Sequence, residues 1–287
     1  MKGAALVATS AFLWGLWPLF LKHSELPGYA AGFVAMAVVS LAAVPVAVLR
    51  RDRRSTRRAL LALLGVGASD AGNVALYFGA LDRGPVAVAV LTHYLAPLLV
   101  CFGAPLFLHE RWSARALIAT PIVLGALWLV VSGGTAHELP WVTAALGAGS
   151  AFFYAANVLC SKAAAESFAP FEVVALHGPV AALCLLAVFR GGALPHQLDA
   201  GLAGVVLGGA LCGLGATVFF NLGLRRVSSP IAGVVTYLEP LTAAGVGVLF
   251  FGEALGVWRV VGAAVVLAAG AWVALEQGAA PEGTVAP

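Results

Sequence analysis

Charge is scarce in this chain. Asp, Glu, Lys and Arg make up 10% of its 287 residues, where a soluble domain carries roughly 25%. With 61% hydrophobic residues and a mean hydropathy of +0.98, a water-soluble fold of this size could not cover its apolar surface. The chain is therefore read as an integral membrane protein, with the lipid bilayer as its first partner. The cysteines, Cys101, Cys160, Cys184 and Cys212, are scattered without a C-x-x-C pair. They read as small packing residues, and neither a disulfide framework nor a metal site is expected. Neither H-E-x-x-H nor G-x-x-x-x-G-K occurs, so no zinc or phosphate motif is present and no cofactor is expected. The basic residues cluster in one short loop, which a membrane topology explains without a nucleic acid partner.

What the chain does have is a series of long apolar runs. A helix needs ~20 apolar residues to cross the hydrocarbon core. Polar punctuation marks ten such runs, at 3–21, 29–49, 59–81, 86–108, 116–134, 141–160, 171–189, 200–224, 231–251 and 257–275. Continuous apolar character excludes the alternating pattern of a membrane barrel. The fold class expected is all-α, with ten transmembrane helices and short connections. The Arg50–Arg58 segment holds six Arg. Placing it in the cytoplasm puts Lys2, Arg111, Arg115, Lys162, Arg225 and Arg226 there as well, and leaves only Lys22, Arg83, Arg190 and Arg259 outside. That distribution predicts two cytoplasmic termini. The Ala-, Gly- and Arg-rich composition suggests a bacterium with a GC-rich genome, and so the inner membrane.

The runs also repeat. Tyr94-Leu95-Ala96-Pro97, an apolar run and Glu110 are echoed by Tyr237-Leu238-Glu239-Pro240, an apolar run and Glu253. Near the start of each half, Ala4-Ala5-Leu6-Val7-Ala8-Thr9-Ser10-Ala11-Phe12 is echoed by Ala144-Ala145-Leu146-Gly147-Ala148-Gly149-Ser150-Ala151-Phe152, and Lys22 by Lys162. The first run is thus expected to be a retained helix rather than a signal peptide. Five helices per half is an odd number, so the second half enters the membrane from the opposite face. Two inverted five-helix repeats are the usual build of a secondary transporter, with substrate bound near the midplane.

Several residues then carry a family resemblance. They are Gly84-Pro85-Val86-Ala87-Val88-Ala89 and Pro97 leading to Glu110-Arg111 in the first half. In the second they are Ser229-Pro230-Ile231-Ala232, Tyr237-Leu238-Glu239-Pro240 and Gly252-Glu253-Ala254-Leu255. With ten helices in two halves, the chain resembles the EamA family of the drug/metabolite transporter superfamily from Gly3 to about Leu275. The resemblance implies a first repeat at 1–136, a second at 137–276 and a disordered cytoplasmic tail at 277–287. It implies movement of a small-molecule substrate, often export of an amino acid or a related compound. One departure is plain: no Arg lies between Gly28 and Leu49, so an anion-binding Arg early in the second helix is not available here.

Polar residues deep in lipid mark candidate sites, because they persist only where they face a cavity or a partner. Asp70, Asn73 and Tyr77 fall on one helical face. Pro97 and Pro240 each break a helix at matching positions and are expected to free the carbonyls of His93 and Thr236, with Thr92, Thr236 or water as alternative partners. His93 and Glu239 stand beside these breaks, and either could carry a coupling proton. His177, next to Gly178-Pro179, is a weaker candidate. Trp14 and Trp17 have the repeat mates Tyr154 and Asn157 at equivalent depth, which suggests a cavity, although Trp at a headgroup belt is equally familiar. Asn221 follows Thr217 by one turn. A substrate cavity is expected to be lined by Trp14, Asp70, Asn73, Tyr77, His93, Tyr94, Tyr154, Asn157, Asn221, Tyr237 and Glu239. Glu110 and Glu253 end the fourth and ninth runs, where pairing with Arg111, Arg115 or Arg259, or capping the next helix, is expected.

Other function classes fit less well. An intramembrane serine protease would draw on Ser69, Ser150 and His177. A channel lacks a filter-like repeat. A flippase for a lipid-linked metabolite would need a lateral opening. Ten helices with internal symmetry are expected to work as a monomer.

Overall fold

The computed structural model describes residues 2–21, 24–49, 56–132, 140–189, 199–254 and 256–275. Lys22, Arg50–Arg54, Arg190, Leu255 and the expected tail at 277–287 lie outside the described residues. Among the described residues every regular element is helical. Among them, ten spans are long and apolar enough to cross a bilayer, as the hydropathy pattern predicts.

The first half contains α1 (Lys2–Gly15) and α2 (Pro18–Leu21) as one span, then α3 (Gly28–Leu49) and α4 (Arg57–Leu81). The fourth span is broken into α5 (Val86–His93) and α6 (Ala96–Leu108), and α7 (Ala114–Ser132) is the fifth. The second half opens with α8 (Trp141–Ala164) and α9 (Pro170–Phe189). Its third span joins α10 (Ala200–Gly208) to α11 (Gly215–Leu224) through a π-helical stretch, Gly209–Leu214. The ninth span is broken into α12 (Ser229–Val235) and α13 (Leu238–Phe251), and α14 (Val257–Ala274) completes the bundle.

Local chemistry sets these boundaries. Thr56 accepts the Ala59 amide at 3.1 Å and starts α4, and Asp199 accepts the Leu202 amide at 2.7 Å and starts α10. The breaks in the fourth and ninth spans fall just before Pro97 and Pro240, where proline cannot continue the helical ladder. Two irregularities lie beyond the sequence-based expectation. The first span also breaks, at Leu16–Trp17 before Pro18. The eighth span takes its π-helical turn in a stretch framed by Gly208, Gly209 and Gly213.

The fourth and ninth spans end alike. His109, with φ 57°, and Gly252, with φ 70°, adopt the left-handed conformation. The amide of Glu110 then bonds back to the Ala104 carbonyl at 3.3 Å, and that of Glu253 to the Gly247 carbonyl at 3.1 Å. Both closures are Schellman-type ends. They project the two glutamates from equivalent points of the two half-sequences.

The strongest packing runs between halves. α4 packs on α8, α3 on α9, α7 on α14 and α1 on α11. Exchanging each span of one half with its counterpart in the other leaves this set of partners unchanged. Small residues permit the close crossings. A methyl group on Gly178 of α9 would overlap the Ser40 hydroxyl of α3 and stand 3.0 Å from the Met36 carbonyl. Large apolar side chains such as Leu41, Leu106, Phe107, Leu183, Leu249 and Phe250 are exposed and form the surface suited to lipid.

Candidate functional site: a central cavity between the two halves

A cavity of about 690 Å³ lies between the two sets of five spans. Of the eleven residues expected to line it, Trp14, Asp70, Asn73, Tyr77, His93, Tyr94, Tyr154, Asn157, Asn221 and Glu239 do so. Tyr237 does not. It is 1% exposed and packs behind the wall, with its hydroxyl donating to the Tyr94 carbonyl at 2.8 Å. This bond ties the two helix breaks together, and the Tyr94 and Tyr237 rings stand 5.7 Å apart.

The freed-carbonyl expectation needs the same kind of correction. The Thr236 carbonyl accepts the Glu239 amide at 3.0 Å instead of pointing into the cavity. In the other half, the carbonyl served from across the molecule is that of Tyr94, one residue beyond His93. Thr92 and Thr236 do not fill the gaps either. Their hydroxyls bond one turn back, to Val88 and Gly233, each at 2.7 Å.

His93 is the hub of an aromatic cluster. Its ring lies 4.3 Å from Tyr77, 5.2 Å from Tyr154 in a stacked arrangement and 5.0 Å from Tyr94 edge-on. Its Nδ1 shares a 2.5 Å hydrogen bond with Ser150 Oγ, which also donates to Asn73 Oδ1 at 3.3 Å. Three helices, α4, α5 and α8, thus fix the imidazole. Ser150 is fully buried. It orients His93 and offers no accessible nucleophile. The echo of Ser10 in Ser150 was a visible signal, but it carried no information on the partner.

Asp70 meets His177 across the halves, with Oδ2 3.5 Å from Nε2, while His177 Nδ1 bonds the Val173 carbonyl at 2.9 Å. Both line the cavity. Asn157 donates to the Val66 carbonyl at 3.1 Å and so joins α8 to α4. Asn221 donates to the Thr217 carbonyl at 2.9 Å. Trp14 packs on Phe220 at 5.2 Å, and Trp17 also lines the cavity. Glu239 is placed by a close crossing of α1 and α13. A methyl group on Gly15 would stand 2.6 Å from the Glu239 carbonyl oxygen.

The two ends of the cavity differ. At one end its lining reaches Glu253 and Arg259, which pair at 2.8 Å with the Glu253 side chain 48% exposed. At the other it stops at Ser161, one residue short of a part-buried bond network. There Glu110 accepts the Ser229 amide at 2.7 Å and the Ser229 hydroxyl at 3.1 Å, and Lys162 Nζ lies 3.6 Å away. Lys162 also donates to the carbonyls of Leu224, at 2.5 Å, and Val227, at 2.7 Å. Glu110 therefore caps α12 in the other half and pairs with Lys162, not with Arg111 or Arg115. The Glu253–Arg259 pairing is as expected. One methyl group separates the two glutamates. A Cβ added at Gly247 would stand 2.7 Å from the Glu253 carboxyl carbon, so the bare glycine lets that side chain lie back on its own helix. The matching position in the first half is Ala104, which already carries the methyl.

The description of the EamA-like transporter family matches residues 1–132 and 141–275 of the chain. The chain belongs to the EamA-like transporter family. It is 28% identical over 270 residues to an uncharacterized transporter of Archaeoglobus fulgidus, covering 93% of this chain and 94% of that one. It is 28% identical to protein RarD of Streptomyces exfoliatus, covering 90% and 83%. It is 29% identical over 208 residues to the threonine/homoserine exporter RhtA of Salmonella typhimurium, covering 70% and 67%. A solved crystal structure matches at a TM-score of 0.80 with 19% identity, over 97% of this chain and 99% of that one, and so shares the fold. A membrane transporter, and not an enzyme, is what this membership establishes.

Proposed function

We propose that this transporter carries a small metabolite, an amino acid or a related compound, across the inner membrane by alternating access between two inverted five-helix repeats. The observation that carries the reading is the cavity itself. It lies between the halves, takes Tyr94 from one helix break and Glu239 and Pro240 from just beyond the other, extends to Glu253 and Arg259 at one end and stops below the Glu110–Lys162–Ser229 network at the other. With the Arg-rich side in the cytoplasm, that network closes the inner end and the cavity faces outward. Exchange of the two halves' roles would close the outer end and open the inner one. The unchanged set of packing partners under exchange of halves supports this inverted relationship. RhtA, a threonine/homoserine exporter, supports an amino-acid-sized substrate. In the same reading one copy suffices, both termini are cytoplasmic, and the Asp70–His177 pair seats a coupling proton.

Radiolabelled counterflow in proteoliposomes tests the proposal. Saturable exchange of one class from a panel of amino acids and small metabolites is expected. Folded, monodisperse protein that exchanges nothing on the panel would overturn it, and lipid scrambling would become the next assay.

A further inference from the structure

The cavity's charges are unbalanced: one lining carboxylate has no cation beside it, and no lysine or arginine among the described lining residues is free to meet an anion. Among the described lining residues Arg259 is the only Lys or Arg, and it is bonded to Glu253 at 2.8 Å. The amide nitrogens of Asn157 and Asn221 are given to backbone carbonyls. His177 is held between Asp70 and the Val173 carbonyl. Two buried polar atoms of the lining have no partner among the described residues, Asn221 Oδ1, which only accepts, and the Tyr154 hydroxyl, and Asn221 is only 2% exposed.

The carboxylates divide the same way. Of the three that line the cavity, Asp70 has His177 and Glu253 has Arg259. Glu239 interacts with the Tyr94 hydroxyl, and no cationic side chain among the described residues lies within ion-pair distance of it. A carboxylate held among apolar walls is costly until a cation or a set of donors completes it. The walls also carry aromatic rings, those of Trp14, Tyr77, Tyr94 and Tyr154, a residue type that attracts cations.

We infer that the cavity selects organic ammonium compounds, seating the ammonium group on Glu239 and Asn221 Oδ1 among these rings, and ranks an amine above the matching amino acid and a carboxylic acid last. The inference rests on the carrier reading above and narrows its substrate class. An amino acid brings the same ammonium but also a carboxylate, for which the cavity offers no free cation. A carboxylic acid brings only the mismatched end.

The test uses three probes that share one ring: phenethylamine, phenylalanine and phenylacetate. Each is titrated calorimetrically into the purified full-length protein in detergent. Phenethylamine is expected to bind about ten-fold tighter than phenylalanine, with phenylacetate weakest. Glu239→Gln is expected to weaken amine binding by about 30-fold or more, and Asn221→Ala by several-fold. Glu239→Asp, which keeps the charge, guards against misfolding and is expected to keep the ranking. Equal or stronger binding of phenylalanine or phenylacetate would overturn the inference. So would an unchanged ranking in Glu239→Gln, or no binding of all three at millimolar concentration. The counterflow panel is read separately. Exchange of carboxylates or neutral solutes alone overturns the ammonium site and leaves the carrier standing, whereas no exchange at all removes both.

Discussion

Glu110 accepts the backbone amide of Ser229, 119 residues further along the chain, at 2.7 Å. This bond joins the end of the fourth span to the start of the ninth, and Lys162 draws the end of the eighth into the same knot. Hydrogen bonds to a charged acceptor are worth about 1.5–3 kcal/mol each. Glu110→Gln keeps the shape and loses the charge, and so is expected to release the closed end. With the four native cysteines replaced, a single cysteine at Ser161 reports on this. Its labelling by a charged maleimide from the Glu110 side should rise about ten-fold or more. Unchanged labelling would mean that the network does not hold this end shut.

Tyr237 separates a wall from a lining. Its hydroxyl serves the Tyr94 carbonyl and its ring is buried away from the cavity. Tyr237→Phe should therefore cost about 1–3 kcal/mol of stability by leaving that carbonyl unsatisfied. The apparent melting point in detergent is expected to fall, while the affinity for a transported substrate stays within about two-fold. A large loss of affinity without a stability change would put the hydroxyl in contact with substrate after all.

Asp70 and His177 come from different halves and share one interaction. Asp70→Asn and His177→Gln are each expected to lower counterflow by about ten-fold or more, with no drop in folded protein. Combined, they should be no worse than the more severe single variant, because both remove the same contact. Additive losses would show that the two residues act separately.

His109 sits in the left-handed region where its repeat mate is Gly252. A residue with a Cβ in that conformation costs roughly 1–2 kcal/mol. His109→Gly is expected to raise the apparent melting point, and His109→Ala, which keeps the Cβ, should not.

Much of the architecture was legible from residue order alone, because lipid forces long apolar runs and tolerates few exceptions. The breaks at Pro97 and Pro240 follow from a missing amide, and that property is local. The π-helical stretch at Gly209–Leu214 has no such local cause. Its glycines permit an irregular turn without demanding one. Asp70, Asn73 and Tyr77 could be grouped because helical spacing alone puts them on one face. Tyr237 lies outside the lining although its repeat mate Tyr94 is part of it, because symmetry gives depth and not direction. The partners of Glu110 were out of reach for a related reason. Arg111 and Arg115 are neighbours in sequence, whereas Lys162 and Ser229 become neighbours only after α8 and α12 pack. Ser150 repeated Ser10, yet only the fold brings it to His93.

The unequal exposure of the two glutamate pairs has a consequence for salt. The Glu253 side chain stands 48% exposed and that of Glu110 14%. Screening shortens from roughly 10 Å at 0.1 M to 3 Å at 1 M ionic strength, and it acts on charges that water reaches. A change of salinity on the Glu253 side therefore loosens the pair at the mouth of the cavity. The same change on the Glu110 side is expected to act less on the more enclosed Glu110–Lys162 pair.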